Sequence, residues 1–305
     1  MTDSAAPASP KKTSYIGRFA PSPSGPLHMG SLVAALASYM DARSQHGKWL
    51  MRIEDLDPPR ESKEAADQIL FALESLGLDW DGPVLYQSSR DDAYQQAIHL
   101  LETQGLVFAC NCTRQQIQEH GGIYPGTCRT KEFRDTEGIA LRCRVNNTPY
   151  CFEDRLQGEH CQHLEEDIGD FVIMRKDRLF AYQLAVVVDD GFQGITHVVR
   201  GIDLMDSTPR QLYLQEKLNL PKPSYMHIPV IINDQGQKLS KQHFAAPIDP
   251  TDPAPLLIKA LQYLGQNPAP ALQEATAREI LAWGVQHWNP AGLSGLTSID
   301  EISRI

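Results

Sequence analysis

Apolar positions in the early part of the chain follow two different periods. Residues 14–20 and residues 48–53 form short, mostly apolar runs, which predict two buried strands. Between these runs the apolar side chains recur at helical spacing and predict a helix over residues 28–43. Two strands joined by a helical crossover form a right-handed βαβ unit with parallel strands. The pattern therefore predicts an α/β fold.

Two further helices are predicted before the pattern changes. They cover about residues 63–76 and 91–104, and Gly105 follows the second as a typical residue after a helix end. Residues 107–178 are richer in Cys, Gly and paired charges, and stretches such as residues 139–145 alternate like half-exposed antiparallel strands. We interpret this part as an insertion between two halves of a nucleotide-binding domain.

The α/β pattern returns after the insertion. Apolar runs at residues 180–188, 197–200 and 227–232 predict further buried strands. Ser207 and Pro209 predict the start of a helix, with the serine hydroxyl as its cap and the proline in its first turn.

The last part of the chain is predicted to be helical, over residues 254–264 and 272–288. A parallel sheet, an inserted α+β subdomain and a C-terminal helical subdomain therefore make up the expected architecture. The expected boundaries are 1–13 for a disordered tail, 14–106 and 179–245 for the two halves of the nucleotide-binding domain, 107–178 for the insertion and 246–305 for the helical subdomain.

Composition and charge narrow the class of protein. Of the 305 residues, 42% are hydrophobic and 22% are charged, which is ordinary for a globular protein. The chain has no apolar run long enough to span a membrane, and residues 1–12 lack the apolar stretch of a signal peptide. We therefore expect a cytoplasmic protein with no membrane partner. The formal net charge of −10 argues against a large RNA-binding face, although a local basic patch is compatible with it.

Two short motifs carry candidate chemistry for nucleotide binding. The Pro-rich turn of residues 18–31 opens the first helix and contains His28 and Gly30. Free N–H groups and the helix dipole favour phosphate at such a position. About two hundred residues later, Lys238 and Lys241 lie in a loop that could close over the phosphates. A single His-x-Gly often occurs by chance, and two lysines are usually a solvated turn, so the argument depends on the pair.

Together with residues 199–204 and 207–211, these motifs resemble the two signatures of the glutamyl and glutaminyl branch of class I aminoacyl-tRNA synthetases. The sequence departs from the usual signatures at Ser31, Leu239 and Gln242, all within the variation of the branch. The resemblance implies a Rossmann-type sheet and activation of an amino acid by ATP with Mg²⁺. It assigns ATP binding to His28, Gly30, Ser31, Lys238 and Lys241, with His28 and Lys241 as the catalytic pair.

The same resemblance implies a binding site for glutamate. Arginine suits a carboxylate because its planar fork donates two parallel hydrogen bonds. Glu54 would hold the substrate ammonium, although it could instead cap a helix or pair with Arg52 or Arg60, and Tyr182 could be a core residue. The residues that match the glutamate contacts of the family are Arg18, Phe19, Ala20, Pro21, Ser22, Glu54, Tyr182 and Arg200.

Three cysteines have the density of a structural zinc site, namely Cys110, Cys112 and Cys128. Clustered cysteines in a cytoplasmic chain favour a metal over disulfides. His120 is a chemically normal fourth ligand, whereas the resemblance suggests Tyr124, and a set of unligated thiols is the alternative. The remaining cysteines lack ligand spacing and are expected to have no special role: Cys143, Cys151 and Cys161.

The short chain and the pattern of cysteines and tyrosine resemble one family in particular, the glutamyl-Q tRNA(Asp) synthetases. That resemblance implies an enzyme without an anticodon-binding domain, and we expect a monomer with one Zn²⁺. It would activate L-glutamate without tRNA and transfer it to queuosine in the anticodon of tRNA(Asp). The alternatives are a truncated glutamyl-tRNA synthetase that charges tRNA(Glu), a small nucleotidyltransferase, and a non-catalytic RNA-binding paralogue.

Overall fold

The predicted βαβ unit forms the first part of a parallel sheet. The computed structural model describes residues 14–133, 137–239 and 246–301. The first elements in chain order are β1 (Ile16–Phe19), α1 (Met29–Ser44), β2 (Lys48–Ile53), α2 (Lys63–Ser75), β3 (Leu85–Tyr86) and α3 (Asp91–Thr103). Strands β1 and β2 pair in parallel with Ile16 opposite Lys48, and β3 pairs in parallel with β2. The α/β class predicted from the apolar pattern is therefore confirmed.

The inserted region contains an antiparallel sheet and a separate hairpin. Its elements are β4 (Val107–Cys110), α4 (Arg114–Gln118), β5 (Ala140–Cys143), β6 (Pro149–Asp154), β7 (Gly158–His163), α5 (Leu164–Asp167) and β8 (Phe171–Met174). Strands β4, β5 and β8 form one antiparallel sheet, as the alternating pattern predicts, and β6 and β7 form the hairpin. None of the sequence boundaries between subdomains is tested by this arrangement, and they stay predictions.

The remaining elements complete the parallel sheet and cover it with helices. They are α6 (Tyr182–Phe192), β9 (His197–Gly201), α7 (Thr208–Lys217), β10 (Ser224–Ile228), β11 (Val230–Ile232), α8 (Pro253–Tyr263), α9 (Ala277–His287) and β12 (Ser298–Asp300). The N–H of Thr196 donates to the carbonyl of Ile16 at 2.9 Å, which places β9 beside β1. Strand β10 pairs in parallel with β9 and, through Tyr225 opposite Asp154, with the hairpin strand β6.

The cysteines of the hairpin contradict one prediction. Cys151 and Cys161 face each other across β6 and β7 and form a disulfide, with their Cα atoms 4.0 Å apart. The expectation that these two cysteines have no special role is wrong, because it considered ligand spacing and ignored hairpin register. Cys143 is a free, buried thiol.

Two predicted strands have a different form. The apolar run of residues 180–188 lies in helix α6, where consecutive side chains are buried on more than one face. A helix buried all round has no polar face, so its sequence looks like a buried strand. The single strand predicted over residues 227–232 is divided at Pro229 into β10 and β11. Proline has no N–H to donate to the hydrogen-bond ladder, and β11 pairs with β12 instead.

Two predicted helix features also differ. The helix predicted over residues 272–288 is a 3₁₀ turn followed by α9, because Thr276 and Glu279 form a capping box that starts a new helix. The hydroxyl of Ser207 does not cap α7, since it accepts a hydrogen bond from the side chain of Gln183 at 3.0 Å. None of the helices in the described ranges has the length and apolar character needed to cross a membrane.

Helix α1 lies at the centre of the larger hydrophobic core, between the sheet and helices α8 and α9. Its buried Asp41 accepts hydrogen bonds from the hydroxyl of Tyr15, the residue before β1, from the Arg155 guanidinium and from the Trp288 indole N–H. Burial opposes ionisation of Asp41, but the bonds from Arg155 and Tyr15 outweigh it and lower its pKa. One carboxylate therefore connects the first strand, the insertion and the C-terminal helices.

Replacing Tyr15 with Phe should lower the free energy of unfolding by about 2 kcal/mol, because a buried carboxylate loses a hydrogen-bond donor. The stacked contact of the Tyr15 ring with His197, 3.9 Å between ring centroids, would remain. Urea unfolding measures the effect. Tyr39→Phe is the matched control, since the Tyr39 hydroxyl has no hydrogen bond to the residues that the structure describes. Equal losses in both variants would contradict the role of Asp41.

Candidate functional site

A cavity of about 770 Å³ lies where β1, β2 and β9 end. Open parallel sheets place their ligands at this edge, outside the carboxyl ends of the strands. Lys241, which the sequence also predicts for the site, lies outside the described residues. The other predicted residues of the nucleotide and glutamate sites all line the cavity: Arg18, Phe19, Ala20, Pro21, Ser22, His28, Gly30, Ser31, Glu54, Tyr182, Arg200 and Lys238.

The start of α1 forms one end of the cavity. His28 is the N-cap residue of this helix, and its Nδ1 accepts the backbone N–H of Ser31 at 3.2 Å. Because Nδ1 accepts, the neutral imidazole carries its hydrogen on Nε2, which lies 3.0 Å from the Ser31 hydroxyl. The first turn of α1 contains no acidic residue, so its N-terminal end keeps the positive potential of the helix dipole. This end of the cavity suits an anion such as phosphate.

The loop that leads to Lys241 comes close to the same turn. A Cβ atom on Gly30 would lie 3.2 Å from both the His28 ring and the carbonyl oxygen of Leu239, closer than ordinary contact. Glycine at this position therefore lets the loop approach the helix start. Lys238, at the base of the loop, forms an ion pair with Asp203 at 2.6 Å, and both residues line the cavity.

Buried charges form the opposite end of the cavity. Asp190 of α6 accepts hydrogen bonds from Arg18 Nε at 3.3 Å and from Arg52 Nη1 at 2.8 Å. Arg52 Nη2 also donates to Glu54 at 3.2 Å. The alternative that Glu54 pairs with Arg52 is thus realised, and Glu54 lines the cavity at the same time. Arg52 is completely buried, so the group depends on these pairings.

The surroundings shift the pKa values of the two acids in opposite directions. Burial raises the pKa of Glu54, although Arg52 and Arg18 act against that rise. Burial also opposes ionisation of Asp190, but there the attraction of Arg18 and Arg52 prevails and lowers the pKa. Asp190 is therefore the fixed anion of the group, and Glu54 is the acid that titrates more readily.

Arg200 lies next to the last residue of β9 and forms the third side of this region. Its Nη1 lies 3.5 Å from the hydroxyl of Tyr182, and its Nη2 donates to Thr208 at 2.8 Å. Its Nε donates to Nε2 of His227 at 3.0 Å. Burial raises the pKa of Tyr182, so its hydroxyl stays protonated at neutral pH. Tyr182 is the first residue of α6, and its side chain both lines the cavity and packs against the second hydrophobic core, so the two predicted roles are combined.

The cavity therefore combines the start of α1, which suits an anion, with a region of several guanidinium groups. One carboxylate of that region, Glu54, lines the cavity. Such a region can hold a molecule that carries carboxylates and an ammonium group. Sequence reasoning named Arg52 only as a possible partner of Glu54 and missed the other residues that support this region, Asp190, His227 and Asp154. Arg52 and His227 are polar residues inside apolar runs, which is a signal of a buried role, whereas Asp154 and Asp190 have charged neighbours in the sequence and carry no such signal.

The cysteine cluster lies away from the cavity, in the inserted region. The Sγ atoms of Cys110, Cys112 and Cys128 lie within 4.8 Å of one another. The hydroxyl of the buried Tyr124 is 3.5 Å from the Cys110 sulfur and accepts the backbone N–H of Cys128 at 2.9 Å. His120 is exposed and lies outside the cluster found among the described residues. Three thiols and a phenol oxygen could hold a tetrahedral, thiophilic cation such as zinc.

Ionisation is helped at Cys110 and opposed at Cys112, where burial and the neighbouring thiols raise the pKa to about 11. Burial opposes ionisation of the Cys110 thiol, but hydrogen bonds from Tyr124 and Arg142 outweigh it and lower its pKa. The Arg142 guanidinium also lies 4.0 Å from the centre of the Tyr124 ring. A metal binds thiolates and not thiols, so this neighbour supports the fit of a cation.

Known proteins show the same sequence pattern. The family described as the catalytic domain of class I tRNA synthetases (E and Q) matches residues 16–280. A glutamyl-Q tRNA(Asp) synthetase of Pseudomonas fluorescens is 53% identical over 289 residues, which cover 95% of this chain and 97% of the relative. Another, of Ectopseudomonas mendocina, is 55% identical over 277 residues, which cover 91% of this chain and 94% of the relative.

The fold is also similar to solved structures. A glutamate tRNA ligase from Elizabethkingia meningosepticum, solved in complex with its amino acid, has a TM-score of 0.76 and 23% identity to this chain. The match covers 93% of this chain and 66% of the ligase, so this chain spans about two thirds of that protein. At this identity the similarity shows the fold alone.

The geometry of the cysteine cluster leads to a prediction that distinguishes the two candidates for the fourth ligand, Tyr124 and His120. Replacing Tyr124 with Phe removes one oxygen and should weaken metal binding about tenfold or more, measured by zinc competition with a chromogenic chelator. The matched control His120→Ala should keep the affinity and the stoichiometry of one metal per chain. Loss of metal in the His120 variant, with none in the Tyr124 variant, would assign the fourth ligand to His120.

Proposed function

Because the chain belongs to the glutamyl-Q tRNA(Asp) synthetases, within the class I tRNA synthetases for glutamate and glutamine, we propose that it activates L-glutamate with ATP and transfers it to queuosine in the anticodon of tRNA(Asp). As a member of this family it is a ligase. One observation carries the proposal for the first step: a single cavity brings together the anion-binding start of α1 and the buried arginine region.

The charges of the arginine region suit glutamate. Among the groups of this region that line the cavity, two are guanidiniums (Arg18 and Arg200) and one is a carboxylate (Glu54), so one positive charge is in excess on the side of the ligand. Glutamate at neutral pH carries one net negative charge, whereas glutamine carries none. Arg18 and Arg200 would hold the two carboxylates, Glu54 the ammonium and Tyr182 a carboxylate oxygen, while residues 19–22 shape the wall.

The opposite end of the cavity would hold Mg²⁺-ATP as the second substrate. Backbone N–H groups in the first turn of α1 would donate to its phosphates, together with Nε2 of His28 and the Lys238 ammonium, which would exchange their present contacts with Ser31 and Asp203 for the phosphates. Gly30 and Ser31 would allow close approach of the nucleotide. Lys241, by the family resemblance, would stabilise the charge that develops on the phosphates.

The proposed reaction has two steps. A carboxylate oxygen of glutamate attacks the α-phosphorus of ATP in line, and the bond to the pyrophosphate leaving group breaks. The hydroxyl of queuosine then attacks the carbonyl carbon of the adenylate, and AMP leaves as the new ester forms. The residues of the cavity orient both substrates and stabilise charge, and no covalent bond to the protein is required. One Zn²⁺ at Cys110, Cys112, Tyr124 and Cys128 would hold the insertion together and take no part in the chemistry.

With glutamate and ATP but no tRNA, the protein should exchange radioactive pyrophosphate into ATP. Glutamine should give at least about a hundredfold less exchange, because a buried guanidinium would then lack its negative partner. Aspartate should also fail, since its shorter side chain cannot span the two arginines. Equal exchange with glutamine would contradict the charge argument.

Two variants and one control test the roles within that assay. Lys241→Ala should abolish exchange if this lysine stabilises the phosphates, and Arg200→Ala should raise the KM for glutamate more than the KM for ATP. Lys63→Ala is the matched control, because Lys63 is exposed on α2 and pairs with Asp67 away from the cavity. Unchanged turnover in Lys241→Ala would exclude its proposed role.

The acceptor is tested separately with radioactive glutamate. Transfer should occur to tRNA(Asp) that carries queuosine and not to the same tRNA with an unmodified guanosine. The product should survive removal of the 3′ end of the tRNA, because the label is on the anticodon base. Charging of an unmodified tRNA(Glu) transcript would favour the alternative of a truncated glutamyl-tRNA synthetase.

A further inference from the structure

The hydrogen bonds of Arg200 leave one edge of its guanidinium for a ligand. Nε donates to His227, and Nη2 donates to the Thr208 hydroxyl at 2.8 Å and to the carbonyl of Leu204 at 3.3 Å. Nη1 is directed to the cavity side, 3.5 Å from the Tyr182 hydroxyl. The orientation of Nη1 therefore depends on the partners that fix Nε and Nη2.

His227 is such a partner, and its tautomer follows from its neighbours. A guanidinium can only donate, so Nε2 of His227 must accept from Arg200 and carries no hydrogen. The hydrogen of the neutral ring is then on Nδ1, which lies 2.7 Å from Oδ2 of Asp154. Both side chains are completely buried, and neither can exchange these partners for water.

Asp154 is itself held rigidly. Its Oδ1 accepts the backbone N–H groups of Leu156 and Gln157, both at 3.0 Å, and Oδ2 accepts the backbone N–H of His227 at 3.1 Å. It is the last residue of β6, where the hairpin of the insertion pairs with β10. A series of hydrogen bonds thus runs from the insertion through Asp154 and His227 to Arg200 and the cavity.

We propose that Asp154 and His227 are positioning residues that fix Arg200 for the side-chain carboxylate of the amino-acid substrate, and that they thereby set the selectivity for glutamate. This inference rests on the proposed function, since it requires Arg200 to bind that carboxylate. Asp154 keeps the hydrogen of His227 on Nδ1, and Nε2 of His227 keeps the guanidinium in one plane. Neither residue touches the substrate.

Asp154→Asn tests this series of hydrogen bonds and leaves the volume of the side chain nearly unchanged. The asparagine oxygen in place of Oδ1 can still accept the N–H groups of Leu156 and Gln157, and the backbone N–H of His227 keeps only its longer contact of 3.3 Å with that oxygen. The amide in place of Oδ2 donates to Nδ1 of His227, so the ring hydrogen moves to Nε2. Two donors, Nε2–H of His227 and Nε–H of Arg200, would then face each other at a distance that is now 3.0 Å. The same reversal of a histidine tautomer explains the effect of the equivalent change in serine proteases. We expect the KM for glutamate to rise about tenfold or more, with the KM for ATP little changed.

Asp170→Asn is the matched control. The Asp170 carboxylate is equally buried and accepts hydrogen bonds from Arg129 and from the backbone N–H of Val145, and among the described residues neither of these partners is bonded to His227 or Arg200. It should lower the melting temperature without changing the KM for glutamate. Spectroscopy gives a second readout: nitrogen-15 shifts of labelled histidine should show His227 protonated on Nδ1 in the wild type and on Nε2 in Asp154→Asn, with His227→Gln assigning the signal.

A second pair of variants keeps the test decisive if Asp154→Asn folds poorly. His227→Gln places an amide oxygen near the position of Nε2 and should retain most of the affinity for glutamate, whereas His227→Leu offers no acceptor and should lose it. If Asp154→Asn and His227→Leu both fold and leave the KM unchanged while Arg200→Ala raises it, the inference is overturned and the proposed function stands. If the wild type shows no exchange with glutamate, the proposed function itself fails. If the wild type exchanges but Arg200→Ala does not alter the KM for glutamate, the role of Arg200 fails and the inference with it.

Discussion

The complete burial of the Arg52 guanidinium is the constraint on which the cavity depends. An ion that loses its water costs several kcal/mol unless charged partners replace that water. Here the partners are Glu54, two residues further along the chain, and Asp190, which lies 138 residues away on α6. The pairing joins the first half of the sheet to the helix that begins the second half. Since Asp190 also holds Arg18, the requirement to neutralise one buried charge determines how the substrate-facing groups are placed.

The sequence predicted the elements whose signals are local. The first strand, helix and second strand were found because their apolar spacing is regular, and the motif residues were found because the chemistry of phosphate binding restricts them. Helix α6 was missed because residues 184–188 form a continuous apolar run rich in valine, which is equally typical of a buried strand. The contacts of Arg52 with Asp190 and of His227 with Asp154 were missed for another reason. They join residues 138 and 73 positions apart, and no spacing rule connects such pairs.

The insertion is bonded into the sheet more closely than its position in the sequence suggests. Two adjacent residues of the β6–β7 hairpin make contacts in different directions: Asp154 with His227 behind the cavity, and Arg155 with Asp41 in the central helix. The disulfide between Cys151 and Cys161 joins the two strands of that hairpin. The hairpin is thus part of the support of the cavity, whereas the β4–β5–β8 sheet packs into a hydrophobic core with α3, α6 and α7.

The acidic composition of the chain and the positive excess of the cavity together determine which groups can discriminate between substrates. With a formal net charge of −10, the surface as a whole does not attract an anionic substrate, so discrimination must come from the buried groups. For the proposed substrate, a neutral side-chain amide would fill the same volume but leave Arg200 without a negative partner inside the protein. The penalty for an unpaired buried charge exceeds what a lost methylene or an altered surface contact would cost. A rigidly held arginine makes that penalty unavoidable, because it cannot turn away to find water.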